Sequence, residues 1–195
     1  MSDFTNQILG QLDPSSIQKI ASQLGIDPGQ AQSAIAQALP VVVGGLARNA
    51  SSDAGANALS NALGAHAGSD FGAILGNVLG GGGQGDAILG HIFGKRQEQA
   101  AQQVGQSSGI GGANAGALMA MLAPLVMGAL GRMQQKQGLD AGGLGGMLGR
   151  ELQGLGQGQH GGLLGSVLDQ DGDGSFGISD VFKLGSQFLG GRGRA

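Results

Sequence analysis

Cysteine, tryptophan and tyrosine are absent from the 195 residues, and six phenylalanines are the only aromatic side chains. Without thiols there is no disulfide framework, no thiolate zinc site and no cysteine nucleophile. So few aromatic rings give no stacking platform for single-stranded nucleic acid. Charge is scarce too: Lys, Arg, Asp and Glu make up 12% of the chain, with 10 basic against 13 acidic residues and a net charge of −3. The basic clusters, Lys95-Arg96 and Arg192 with Arg194, are too small for the footprint of a phosphate-backbone binder, so nucleic acid is not an expected partner. Long apolar runs are also lacking. Ala34 to Leu46 and Ala117 to Leu130 hold 13 and 14 residues, short of the ~20 that cross a bilayer, so no membrane span is expected. The start, Met1-Ser2-Asp3-Phe4-Thr5, carries neither the basic region nor the apolar stretch of a conventional secretory signal. A chain without cysteine suits the cytoplasm and the cell exterior alike.

What the chain has instead is glycine, 43 of its residues, alongside 41% hydrophobic residues gathered into periodic blocks. That clustering separates it from disordered glycine-rich sequences and reads as a folded protein. The blocks recur. Gly25-Ile26 through Arg48 aligns without a gap to Gly109-Ile110 through Arg132 at an offset of 84, with nine of 24 positions identical, among them Pro40 with Pro124 and Gly44 with Gly128. Farther on, Leu59 to Gly64 matches Leu144 to Gly149, and Gly72 to Leu79 matches Gly161 to Leu168, the offset drifting to 89. The expected organisation is a tandem duplication, residues 1–95 as the first helical repeat and 96–195 as the second.

Both halves read as helical, and no segment alternates with the period of a strand. Asp13-Pro14 and Asp27-Pro28 each place a capping acid before a proline suited to the first helical turn, and Gln30 completes a capping box. One long helix is expected from Pro28 to about Arg48 and its counterpart from about Ala113 to Lys136, each with an internal proline that removes a hydrogen bond and kinks it. Gly44, Gly45 and Gly128 fall one turn later, where a missing side chain admits a neighbouring backbone. Met119, Met127 and Met133 read as core fillers. The expected fold is all-α, a duplicated helical unit with kinked Gly/Ala-rich central helices.

One motif carries chemistry. Asp169-Gln170-Asp171-Gly172-Asp173-Gly174-Ser175 and Asp180 match the first, third, fifth, sixth, seventh and twelfth positions of an EF-hand calcium loop. Alternating carboxylates on a tight turn all point inward, where a doubly charged hard cation takes about six to eight oxygens. Asp169, Asp171, Asp173 and Asp180 are therefore expected ligands of Ca2+ through their carboxylates, and Ser175 through its backbone carbonyl. Asp180 stands where a longer Glu usually closes the site, as in the calcium loops of dockerins, so the expected affinity is weak, about 10⁻⁴ to 10⁻³ M. That range suits calcium outside a cell, and favours the cell surface or exterior over the cytoplasm. Continuing the repeat offset, residues 80–91 fall on the calcium loop, keep its glycines and lack its carboxylates, with His91 at the place of Asp180; a metal-free loop is expected there, and loop 169–180 is expected to pair either with it or with its equivalent in another subunit.

Other patterns are too weak to carry a function. Gly80, Gly82 and Gly85 have dinucleotide-loop spacing but no preceding strand. His66, His91 and His160 are isolated, and no nucleophile elbow or metalloprotease helix motif occurs, so no catalytic residues are assigned. Gly25-Ile26-Asp27, Ala38-Leu39-Pro40, Leu122-Ala123-Pro124, Ile88 to Gly94 and Leu168 to Gly174 together resemble a bacterial family catalogued only as a domain of unknown function, number 937. The resemblance implies a bacterial source, an all-helical fold and a C-terminal Asp-rich loop; it implies no activity. The expected function is a calcium-binding, non-catalytic structural or interaction protein that self-associates with further copies of itself, up to calcium-stabilised filaments or a surface assembly. The alternative is a cytosolic calcium-responsive regulator exposing Phe182 and Phe188, and an enzyme comes third.

Overall fold

The computed structural model describes residues 3–66, 71–82 and 84–156, and these form nine α-helices and no strand. In chain order they are α1 (Asp3–Gln11), α2 (Pro14–Leu24), α3 (Pro28–Asn49), α4 (Asp53–His66), α5 (Phe71–Leu79), α6 (Gly85–Phe93), α7 (Gln97–Ser108), α8 (Gly112–Gln137) and α9 (Ala141–Gly156), with a short 3₁₀ turn, Gly94–Arg96, between α6 and α7.

The starts of α2 and α3 follow from their caps. The Asp13 carboxylate accepts the Ser16 N–H at 2.6 Å and the Ser15 hydroxyl at 2.9 Å. Gln30 Oε1 accepts the Asp27 N–H at 3.3 Å, and both helices open on a proline. Their ends are equally local. Gly25, at φ 65°, closes α2 as the next residue, Ile26, donates back to the Ala21 carbonyl; Gly138, at φ 61°, ends α8 as Leu139 donates to Gln134.

The two long helices make the centre. Ten consecutive residues of α3, Ala38 to Ala47, and eleven of α8, Met121 to Gly131, are buried. A helix buried all round has to be enclosed by other helices. α3 and α8 pack on each other, α6 and α7 touch both, α9 covers α3 and α4, and α4 and α5 cover α8. One hydrophobic cluster results, with Val42, Leu39, Leu63, Leu122, Leu125 and Leu144 fully enclosed, so the buried side chains come from both sides of Lys95. Adding 84 to the bounds of α2 gives 98–108, beside 97–108 for α7; adding 84 to the start of α3 gives 112, the start of α8.

Both central helices run without interruption through Pro40 and Pro124. Each proline leaves the carbonyl four residues earlier, that of Ala36 or Ala120, without its helical amide donor. The first residue of α6, Gly85, is seated on the Ala120 peptide so closely that a methyl group there would overlap its carbonyl. Gly55 in α4 sits in the same way on the Asn49 carbonyl, and Gly105 on the Gly111 peptide. At Gly45 and Gly128 the structure differs from the expected backbone approach. Side chains take the space: Ile92 and Phe93 reach into the notch at Gly45, and Ile74 into that at Gly128.

Two glycine-rich stretches are helical, the first of them in place of an expected loop. Residues 85–91, the larger part of the expected metal-free loop 80–91, belong to α6, because Leu89 and Ile92 are buried on one helical face with Ile88 and Phe93 packed beside them. Gly142 to Gly146 lie inside α9, where Leu144, Leu148, Leu152 and Leu155 form one buried stripe and the Asp140 carboxylate accepts the Gly143 N–H at 2.7 Å. A buried leucine stripe outweighs the ~1 kcal/mol cost of each helical glycine.

Gly85→Ala should therefore lower unfolding free energy by about 2 kcal/mol or more, because backbone and not a flexible side chain must move. Gly149→Ala, at an exposed α9 position open on all sides, should raise it by about 0.5 to 1 kcal/mol; urea unfolding measures both. The Ser16 backbone N–H, then the Ser16 and Ser15 side chains, hold the Asp13 carboxyl below its ordinary value. Its contribution is present above the unfolded-state pKa and is lost as pH falls through the folded one. Asp13→Asn keeps a capping oxygen without a titrating group, so the variant should lose less stability than the parent over that acid range in pH-dependent melting.

Candidate functional site

The calcium residues read from the sequence, Asp169, Asp171, Asp173, Ser175 and Asp180, lie outside the described residues, as does His160. Among the described residues no three His, Asp or Glu side chains come together as a metal-binding group. His91 is exposed on α6.

The described residues also form a groove lined from four helices, α3, α4, α6 and α8. It lies between α4 and α6 above the last turn of α3 and one side chain of α8, with a volume of about 630 Å³. Leu46, Leu59, Ile92 and Met127 make the floor, all less than a tenth exposed. Ala58 and Ala62 on α4 and Ala87 and Ile88 on α6 form the walls. The lining positions 55, 58, 59 and 62, and 84, 87, 88 and 91, follow the three-and-four spacing by which a helix turns one face to a neighbour. Here that face looks into an open space.

The polar groups gather where the end of α3 meets the start of α4 and the end of α6. Asn49 Nδ2 donates to the carbonyls of His91 at 3.0 Å and Ile92 at 3.2 Å, tying α3 to the last turn of α6. Ser52 Oγ accepts the Gly55 N–H at 3.1 Å and caps α4. Together Asn49, Ser52 and His91 line this end, and Gln84 lines the other. Of the lining residues, the sequence marks Met127 as a core filler and His91 as a loop position. The usable signal was the run of small residues, Gly55, Ala58 and Ala62, on the outer face of a helix whose inner face is leucine.

α8 changes the sequence estimate of apolar length. Its 26 residues include a window of mean hydropathy 1.7, enough by length and composition to cross a membrane, and 72% of that window is buried within the protein. Enclosure by α3 to α7 accounts for its composition.

An all-helical protein organised on two buried central helices, with an apolar groove at one flank, is the class that these features define. Over residues 6–133, about two thirds of the chain, the sequence matches the family described as bacterial protein of unknown function, DUF937, and the chain belongs to that family. The matched span takes in both prolines and the groove and ends before the Asp-rich residues. No curated protein and no solved structure matches the chain.

Asn49→Leu should free two carbonyls at the end of α6 and cost about 1 to 3 kcal/mol. Hydrogen exchange should show the loss in α6 before α3 or α8.

Proposed function

We propose that this protein is a calcium-binding, non-catalytic interaction protein that self-associates. The observation that carries the reading is the spacing of Asp169, Asp171, Asp173, Ser175 and Asp180, four carboxylates and a carbonyl at the ligand positions of an EF-hand loop, in a chain with only 13 acidic residues. Two features support an interaction role. The matching bounds of α2 with α7 and the shared starts of α3 and α8, taken with the sequence repeat, support a tandem duplication at an offset of 84. A surface made twice in one chain can meet its equivalent on another chain head to tail, and such contacts form open filaments when the rotation between copies does not close a ring. The second feature is the low net charge of −3, which leaves little repulsion between copies.

Calcium binding follows at about 10⁻⁴ to 10⁻³ M, because Asp180 reaches the ion less readily than the usual glutamate. At free calcium ten times the dissociation constant, mass action stabilises the folded state by about 1.4 kcal/mol, which raises the melting temperature. Calcium titration by calorimetry, with melting and light scattering in millimolar calcium and then in chelator, tests the reading. The expected result is one site per chain, a higher melting temperature and particles that grow with calcium and shrink with chelator. Asp169→Ala with Asp171→Ala should abolish all three effects. Unchanged calcium binding in that double variant would refute the site assignment, and a monomer at every calcium concentration would refute self-association. A monomer that changes shape at micromolar calcium identifies a regulator instead.

A further inference from the structure

We infer that the groove between α4 and α6 is a binding site for an aliphatic carboxylate, a single hydrocarbon chain with an anionic head, taken up as a soluble monomer. The inference is independent of the calcium site. The volume of about 630 Å³ falls within the range of small-molecule pockets, which are mostly apolar with a few placed polar groups. The side chains lining this groove follow that division. Leu46, Leu59, Ile92 and Met127 give a floor with no polar atom apart from the methionine sulfur, and alanines on both walls leave width that larger side chains would fill. From Gly55 to Ala62 the wall rises about 10 Å at 1.5 Å per residue, room for an extended chain of several methylenes.

The polar end selects the head group. Both hydrogens of Asn49 Nδ2 point to the carbonyls of His91 and Ile92, so its amide offers a ligand no donor. Ser52 Oγ accepts from Gly55, which leaves its hydroxyl hydrogen to donate, and the His91 imidazole supplies an N–H at the same end. Asp53 is the acid at this end of α4, and Lys95 is exposed in the turn that follows α6. The acid at the start of α6, Asp86, lies at the opposite end beside Gln84. Among the lining side chains the donors Ser52 and His91 thus gather at one end of an apolar trough, the Gln84 amide stands at the other, and no acid lines it. That polarity orients an anionic head toward His91 and a hydrocarbon tail toward Ala62 and Gln84.

Calorimetric titration of the full chain with decanoate, decanol and decyltrimethylammonium, each below the concentration at which it forms micelles, tests the assignment. Decanoate should bind saturably at one site and at least tenfold more tightly than decyltrimethylammonium. Ala58→Phe with Ala87→Phe fills the trough from two exposed positions. It should weaken decanoate at least tenfold at an unchanged melting temperature, and Ala87→Phe alone provides the same readout should the double variant be unstable. His91→Ala should weaken decanoate several-fold and leave decanol unaltered. Absence of saturable decanoate binding, equal affinity for all three chains, or undiminished binding in the filled variants would each overturn the site. Sedimentation with anionic phospholipid vesicles in the absence of decanoate binding would overturn it too, by showing a surface that reads membranes.

Discussion

The structure depends on the mutual burial of α3 and α8. Each has a continuous segment with no solvent face, and neither can exist in water as a lone helix, because its apolar surface runs around the whole cylinder. The surrounding helices are arranged to satisfy that constraint. α6 and α7 bridge the two, α4 reaches the far helix of the pair, and α9 returns to cover α3. An internal proline is tolerable here because enclosure by neighbours holds the helix through the missing hydrogen bond, and because at Ala120 another helix start lies against the freed peptide.

Glycine and alanine do in this protein what aromatic side chains do in most cores. They shorten the distance between helices so that small residues reach close packing, with Ile74, Ile92 and Phe93 as the larger pieces fitted into glycine notches. The same device produces the groove. Where a wall of small residues has no helix opposite it, the saved volume is open to solvent.

The caps and central helices were legible because their signals are local. Asp-Pro before an apolar run marks the starts of α2 and α3, and Gly25 marks the end of α2. The identity of the family was legible in the same helices. α6 and α9 were not, since their glycines suggest turns, and what makes them helical is burial of Leu89, Ile92, Leu144 and Leu148 against partners distant in sequence. The groove was illegible for a related reason: its lining comes from four helices, and alanine carries no chemical signature. Whether a glycine admits backbone, as at Gly85, or a side chain, as at Gly45, is likewise decided by what lies across the interface.

The distance along the chain between the two buried helices bears on how the protein is made. From the end of α3 to the end of α8 there are roughly 90 residues, which a ribosome adds in about 5 to 20 s. For that interval α3 has emerged with its apolar surface complete and its main covering partner unwritten. The burial of α3 is therefore complete only once α8 and α9 have been made.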